Sequence, residues 1–128
     1  MWRRRILGLT VVLEVVTGLL LLFAPSTLIR LMLGTAGAAG AAEVVGRVAG
    51  AALVALGAAT WPSAGDSLPR ALRGMLTYSV LVTLYFVYLI VRGEWLGPLL
   101  VPVTVVHAAL TIALGAAWVT ERAGDLGS

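Results

Sequence analysis

Apolar residues run almost unbroken through four stretches of this chain, and small or polar breaks separate them. The first run covers residues 6–23 and stops at Pro25. Residues 26–33 are shorter and surround Arg30 with apolar positions, and Pro25 suits the first turn of a helix. A brief interfacial helix is expected there. A small-residue loop at 34–40 leads into a second run at 41–61, which ends at Pro62. A polar turn at 63–68 precedes the third run at 70–91, closed by Arg92-Gly93-Glu94-Trp95. The fourth run covers 97–118, and 119–128 reads as a mostly polar tail. Each long run has about the 20 residues that cross a hydrocarbon slab of roughly 30 Å. The pattern predicts an all-α membrane protein in one domain, residues 1–128, with four transmembrane helices in an up-down bundle.

Composition strengthens this reading. Of the 128 residues 60% are hydrophobic and 12% charged, where a soluble domain is nearer half and a quarter. The net charge of +3 does not make a nucleic-acid binder, because the nine basic residues are all Arg and sit mostly at the ends of apolar runs. Arg3, Arg4, Arg5, Arg70, Arg73 and Arg122 fall on one side, Arg30 and Arg92 on the other. The excess of six over two puts both termini in the cytoplasm. Trp2, Trp61, Trp95 and Trp118 lie at helix ends, as in an aromatic belt. The Arg-only, Ala- and Gly-rich usage points to a bacterial inner membrane. Three N-terminal arginines before an apolar run resemble a signal peptide, but the run is long and no small-x-small site follows it. An uncleaved first helix is expected.

Ionisable residues at bilayer depth are costly and call for a partner or a purpose. At about 1.5 Å per residue from the outer helix ends, Glu14 lies roughly 13 Å deep, His107 roughly 15 Å and Arg47 roughly 9 Å. Tyr85 comes near the level of Arg47. One residue from each helix thus falls in the outer half, and Glu14, Arg47, Tyr85 and His107 form a candidate binding or proton site. Thr10 and Thr17 share the face of Glu14, Thr104 and Thr111 that of His107, and Tyr78 that of Tyr85. These five are candidate polar lining. Glu43 precedes Arg47 by four residues, the favourable order for an intrahelical ion pair, so two settings are open for Arg47. Gly46, Gly50 and Gly57 form a small-residue face suited to close helix packing, within the chain or in a homo-oligomer.

The segments Glu-Val-Val-Thr-Gly-Leu-Leu-Leu-Leu-Phe-Ala-Pro at 14–25 and Gly-Arg-Val-Ala-Gly-Ala-Ala-Leu-Val-Ala-Leu-Gly at 46–57 carry a resemblance. They resemble the DoxX-like group of small four-helix bacterial membrane proteins. The resemblance covers mainly the first two helices and implies the fold. Some members look like membrane subunits of quinone-linked oxidoreductases. Leu13-Glu14-Val15 in a chain of this size is also similar to the small multidrug resistance transporters, whose first-helix Glu exchanges protons for cationic drugs. The chain departs from that family in lacking its Trp-Ser/Ala-Gly-x-Gly segment in the third helix and in carrying Arg47.

Catalytic patterns are not seen. The single His excludes a bis-histidine haem or zinc site, and there is no Gly-rich phosphate loop. No resident cofactor or metal is expected, with quinone or lipid left open as ligands. The residues favour a DoxX-like accessory or structural subunit, or a small-molecule-binding membrane module, alone or in a larger membrane complex. A proton-coupled transporter with Glu14 as carrier carboxyl is the second expectation.

Overall fold

The computed structural model describes residues 1–35, 39–62 and 68–125. The central part of the small-residue loop, the polar turn at 63–67 and the last three tail residues lie outside them. The described residues form five helices: α1 (Trp2–Phe23), α2 (Pro25–Leu33), α3 (Ala41–Ala59), α4 (Leu68–Arg92) and α5 (Leu100–Asp125). Four of them, all but α2, are long and apolar enough to cross a membrane. Large apolar side chains stay exposed along all four, among them Leu9, Val16, Val45, Leu84, Val105 and Ile112. Such surfaces suit hydrocarbon as solvent.

At the end where α1 begins, α1, α4 and α5 run past the expected limits, while α3 stops at Ala59, short of residue 61. Arg3 pairs with Glu121, and the Arg122 guanidinium lies 5.0 Å over the Trp118 ring, so α5 continues through most of the segment read as a tail. At the other end α5 starts at Leu100 instead of residue 97. The backbone there is engaged elsewhere: Gly97 and Leu99 donate their amides to the carbonyls of Met32 and Leu31, at 3.1 and 3.0 Å. These bonds satisfy carbonyls that the end of α2 would otherwise leave bare. Gly34 ends α2 with φ +70, a left-handed conformation that glycine adopts without strain.

The four long helices pack as two hairpin-like pairs. α1 pairs with α3 along its length, and α4 with α5. The pairings are antiparallel: Gly18 meets Gly50 while Val15 meets Gly57, and Thr83 meets Thr111 while Phe86 meets His107. The sequential helices α3 and α4 do not pack along their length, although the chain between them is short; α1 lies between α3 and the second pair. The cause is the glycine face. Gly46, Gly50 and Gly57 are buried, and they draw α3 onto α1 and onto Pro25 of α2. That face is therefore occupied within the chain.

The two pairs join firmly at one end only. Leu7 and Val11 of α1, Ala71, Leu72 and Met75 of α4, and Leu114 and Ala117 of α5 form the buried core there. Towards the α2 end the pairs separate, and α2 bridges the gap.

Candidate functional site

The closed end sets the register of everything above it. Leu7, Ala71 and Leu114 belong to one core cluster. Two helical turns further along α1 and α4, and two turns back along the antiparallel α5, stand Glu14, Tyr78 and His107. Seven residues bring each helix back to nearly the same face. The first layer beyond the core that repeats its geometry is thus polar.

In that layer the Tyr78 hydroxyl donates to Glu14 Oε2 at 2.9 Å. His107 Nε2 lies 3.3 Å from Glu14 Oε1, and His107 Nδ1 lies 3.0 Å from the Val103 carbonyl. A carbonyl only accepts, so Nδ1 carries a proton. The Nε2–Oε1 approach then requires one further proton, on the imidazole or on the carboxyl. In either form the pair is neutral overall. That is the arrangement in which an acid and a base are cheapest to bury. The Phe86 ring sits edge-on to the imidazole, with centroids 5.4 Å apart, and fixes its plane. Glu14 is 2% exposed, and its Oε1 makes no hydrogen bond. It is a buried acceptor with unused capacity.

Above this layer a cavity of about 800 Å³ fills the space between the two helix pairs. Glu14, Tyr78 and His107 line its floor. Leu28, Ile29, Met32 and Leu33 of α2 close its roof, and the remaining walls are mostly apolar. Leu81, Tyr85 and Val106 line the cavity yet are also exposed on the outside of the bundle, so it opens sideways. Among the described lining residues none is Arg or Lys. No three described His, Cys, Asp or Glu side chains lie close enough together to hold a metal ion.

The structure thus brings Glu14 and His107 together, as their depths suggest, and leaves Arg47 apart. Arg47 Nη2 bonds Glu43 Oε1 at 2.6 Å on the outer surface of α3. The reason is geometric. With its glycines against α1, α3 sends Arg47 round to the outside, and among the described residues only Leu53 of α3 reaches the cavity. An exposed i,i+4 pair contributes about 0.3–0.5 kcal/mol. Arg47→Leu is therefore expected to change stability by no more than about 0.5 kcal/mol, measured by thermal unfolding in detergent.

Tyr85 does not reach Glu14. It lies at the cavity opening, 59% exposed, and stacks on Tyr88 with ring centroids 6.2 Å apart. Tyr78, two turns deeper, makes the contact instead. The threonines divide. Thr17 lines the cavity. Thr10, Thr104 and Thr111 donate to carbonyls four residues back in their own helices, of Ile6, Leu100 and His107. With its proton so used, Thr111 accepts from Thr83 at 3.1 Å, a bond that ties α4 to α5. Thr83 carries no distinguishing sequence signal beyond being a hydroxyl inside an apolar run. Comparison of the chain with protein-family models, with curated proteins and with solved structures found no match.

Proposed function

We propose that this chain is a multi-pass protein of a bacterial inner membrane, with both termini cytoplasmic, and that it is a small-molecule-binding membrane module of the DoxX-like kind. The observation that carries the reading is the cavity: about 800 Å³, apolar on its walls and roof, with Glu14, Tyr78 and His107 at its floor. Ligand sites characteristically have volumes of about 300–1,000 Å³ and a few convergent polar groups in an apolar wall. A purely structural polar layer has no need of such a void. The topology rests on the arginine count, six against two.

A second reading draws on the proton accounting. Glu14 Oε1 and His107 Nε2 face each other at 3.3 Å, and a proton held by a pair of this kind can be released when a cation arrives. That supports a proton-coupled transporter with Glu14 as carrier. An accessory role in a larger complex is compatible with either, since the outer faces of the helices stay exposed.

The test is native mass spectrometry of the chain released from a mild detergent. One bound molecule of bilayer origin is expected per wild-type chain. Leu81→Trp, which narrows the lateral opening without touching the floor, is expected to reduce its occupancy at least severalfold. A folded wild-type chain that never carries an adduct, even after incubation with a membrane lipid extract, would sink the reading. Uptake by reconstituted vesicles that depends on a pH gradient and disappears in Glu14→Gln would favour the transporter.

A further inference from the structure

The floor and the walls together restrict what the cavity takes. This inference rests on the binding-module reading and names the ligand's chemical class. Glu14 Oε1 is a buried acceptor that makes no hydrogen bond, on a residue that lines the cavity. It calls for a donor from the occupant. Across from it, 3.3 Å away, His107 Nε2 can donate in turn when it carries a proton. A single hydroxyl meets both requirements: its O–H donates to Oε1, and its oxygen accepts from Nε2. The charge of the site is unchanged by that insertion.

Other head groups fit less well. A carboxylate or phosphate would meet Glu14 in a cavity whose described lining holds no Arg or Lys. Of the outer cations, Arg47 is engaged with Glu43 and Arg92 with Glu94, and Arg30 is exposed on α2 outside the cavity lining. A ketone, ester or ether accepts but cannot donate, and leaves Oε1 unsatisfied. The apolar roof formed by α2 and the sideways opening beside Leu81 and Tyr85 favour arrival from the hydrocarbon over arrival from water. The volume of about 800 Å³ accommodates roughly 27 heavy atoms at about 30 Å³ each.

We propose that the cavity binds an uncharged lipid alcohol that enters laterally from the bilayer, its hydroxyl bridging Glu14 Oε1 and His107 Nε2 and its chain lying beneath α2. The occupant's tail then replaces lipid contacts with protein contacts, and the hydroxyl supplies the preference.

Equilibrium binding of radiolabelled oleyl alcohol to the full chain in detergent, at fixed micelle concentration, tests this. Unlabelled oleyl alcohol, oleyl methyl ether, oleic acid and oleylamine serve as competitors. The alcohol is expected to compete roughly ten- to hundredfold better than the methyl ether, as for a buried acceptor left unpaired. Oleic acid is expected to be weaker still. Glu14→Gln replaces the acceptor at Oε1 with an N–H donor and is expected to reduce the alcohol-to-ether ratio to within about threefold. Saturable binding in which alcohol and ether compete equally would overturn the hydroxyl assignment while leaving the cavity as a binding site. A clear preference for oleylamine would also overturn it, in favour of a cation. Should none of the four bind saturably, the binding-module reading itself falls.

Discussion

Gly50→Val is expected to destabilise the chain by about 3 kcal/mol, at the upper end of what overpacking costs, and to disorder the cavity with it. The reason lies in what a side chain at position 50 would strike. A Cβ there falls 2.5 Å from the Gly18 carbonyl oxygen and 2.8 Å from the Leu22 amide nitrogen. Both are backbone atoms inside α1, and neither can rotate aside. The reciprocal clash, of a Cβ on Gly18 with the Gly50 carbonyl at 2.8 Å, shows that the two helices touch backbone to backbone. In lipid, close contact of this kind is what holds helices together, because separating them into hydrocarbon carries little hydrophobic penalty. Forcing α1 and α3 apart removes that packing and shifts Glu14, one turn from Gly18. Thermal unfolding in detergent measures the loss, and two glycines calibrate it. Gly57→Ala meets a Val15 methyl that can rotate, so its loss should be smaller. Gly115→Ala meets nothing within 4 Å and should gain up to about 1 kcal/mol from helix propensity. Equal behaviour of all three would show that the close contact does not exist.

The four spans and the break at Pro25 were legible because lipid imposes length and apolarity on each segment separately. Packing partners were not, because they depend on which face of each helix meets which. The depth of a residue below its helix tip put Tyr85 level with the site, yet the outer tips are not level: α1 ends nine residues past Glu14, and α4 fourteen past the Tyr78 that meets it. Counting outward from the core layer of Leu7, Ala71 and Leu114 gives Tyr78 at once, but that layer is recognisable only after folding. Arg47 illustrates the same limit. Of its two open settings the pair with Glu43 is the one taken, since the neighbouring glycines fix the rotation of α3. The roof was half legible: Leu28, Ile29, Met32 and Leu33 form one apolar stripe in the sequence, which suits a membrane surface as well as a cavity. What decides is the pair of amides from Gly97 and Leu99, donated by a loop some 65 residues away in the chain.

These features bear on how the site is held. α2 leans on α3 through Pro25 at Gly46 and is tied to the start of α5 by those two amides. It therefore spans the open end, while the apolar core clamps the other. Between the two closures the polar layer joins α1 to both α4 and α5. Anything that enters the cavity settles against it.

For that reason Glu14 separates a structural from a proton-carrying role. Glu14→Leu leaves the Tyr78 hydroxyl and His107 Nε2 buried without partners, and is expected to cost about 2–3 kcal/mol. Glu14→Gln behaves differently. Its carbonyl can still accept from Tyr78, and its amide can donate to an Nε2 that is free to accept because Nδ1 holds the ring proton for Val103. The Tyr78 hydrogen bond is kept, the amide faces Nε2 as a donor, and the carboxyl's proton chemistry is gone. Glu14→Gln should therefore stay within about 1 kcal/mol of wild type in thermal unfolding. A cycle with Tyr78→Phe should give a coupling of about 0.6–1.7 kcal/mol in the Glu14 background, as measured for hydrogen bonds between membrane helices, and a similar value with Gln. If Gln proves as destabilising as Leu, the layer depends on the charge shared by Glu14 and His107 and not on its hydrogen bonds. If Gln is tolerated and proton-dependent transport or ligand preference disappears with it, the carboxyl is retained for its chemistry, because the fold is content with the amide.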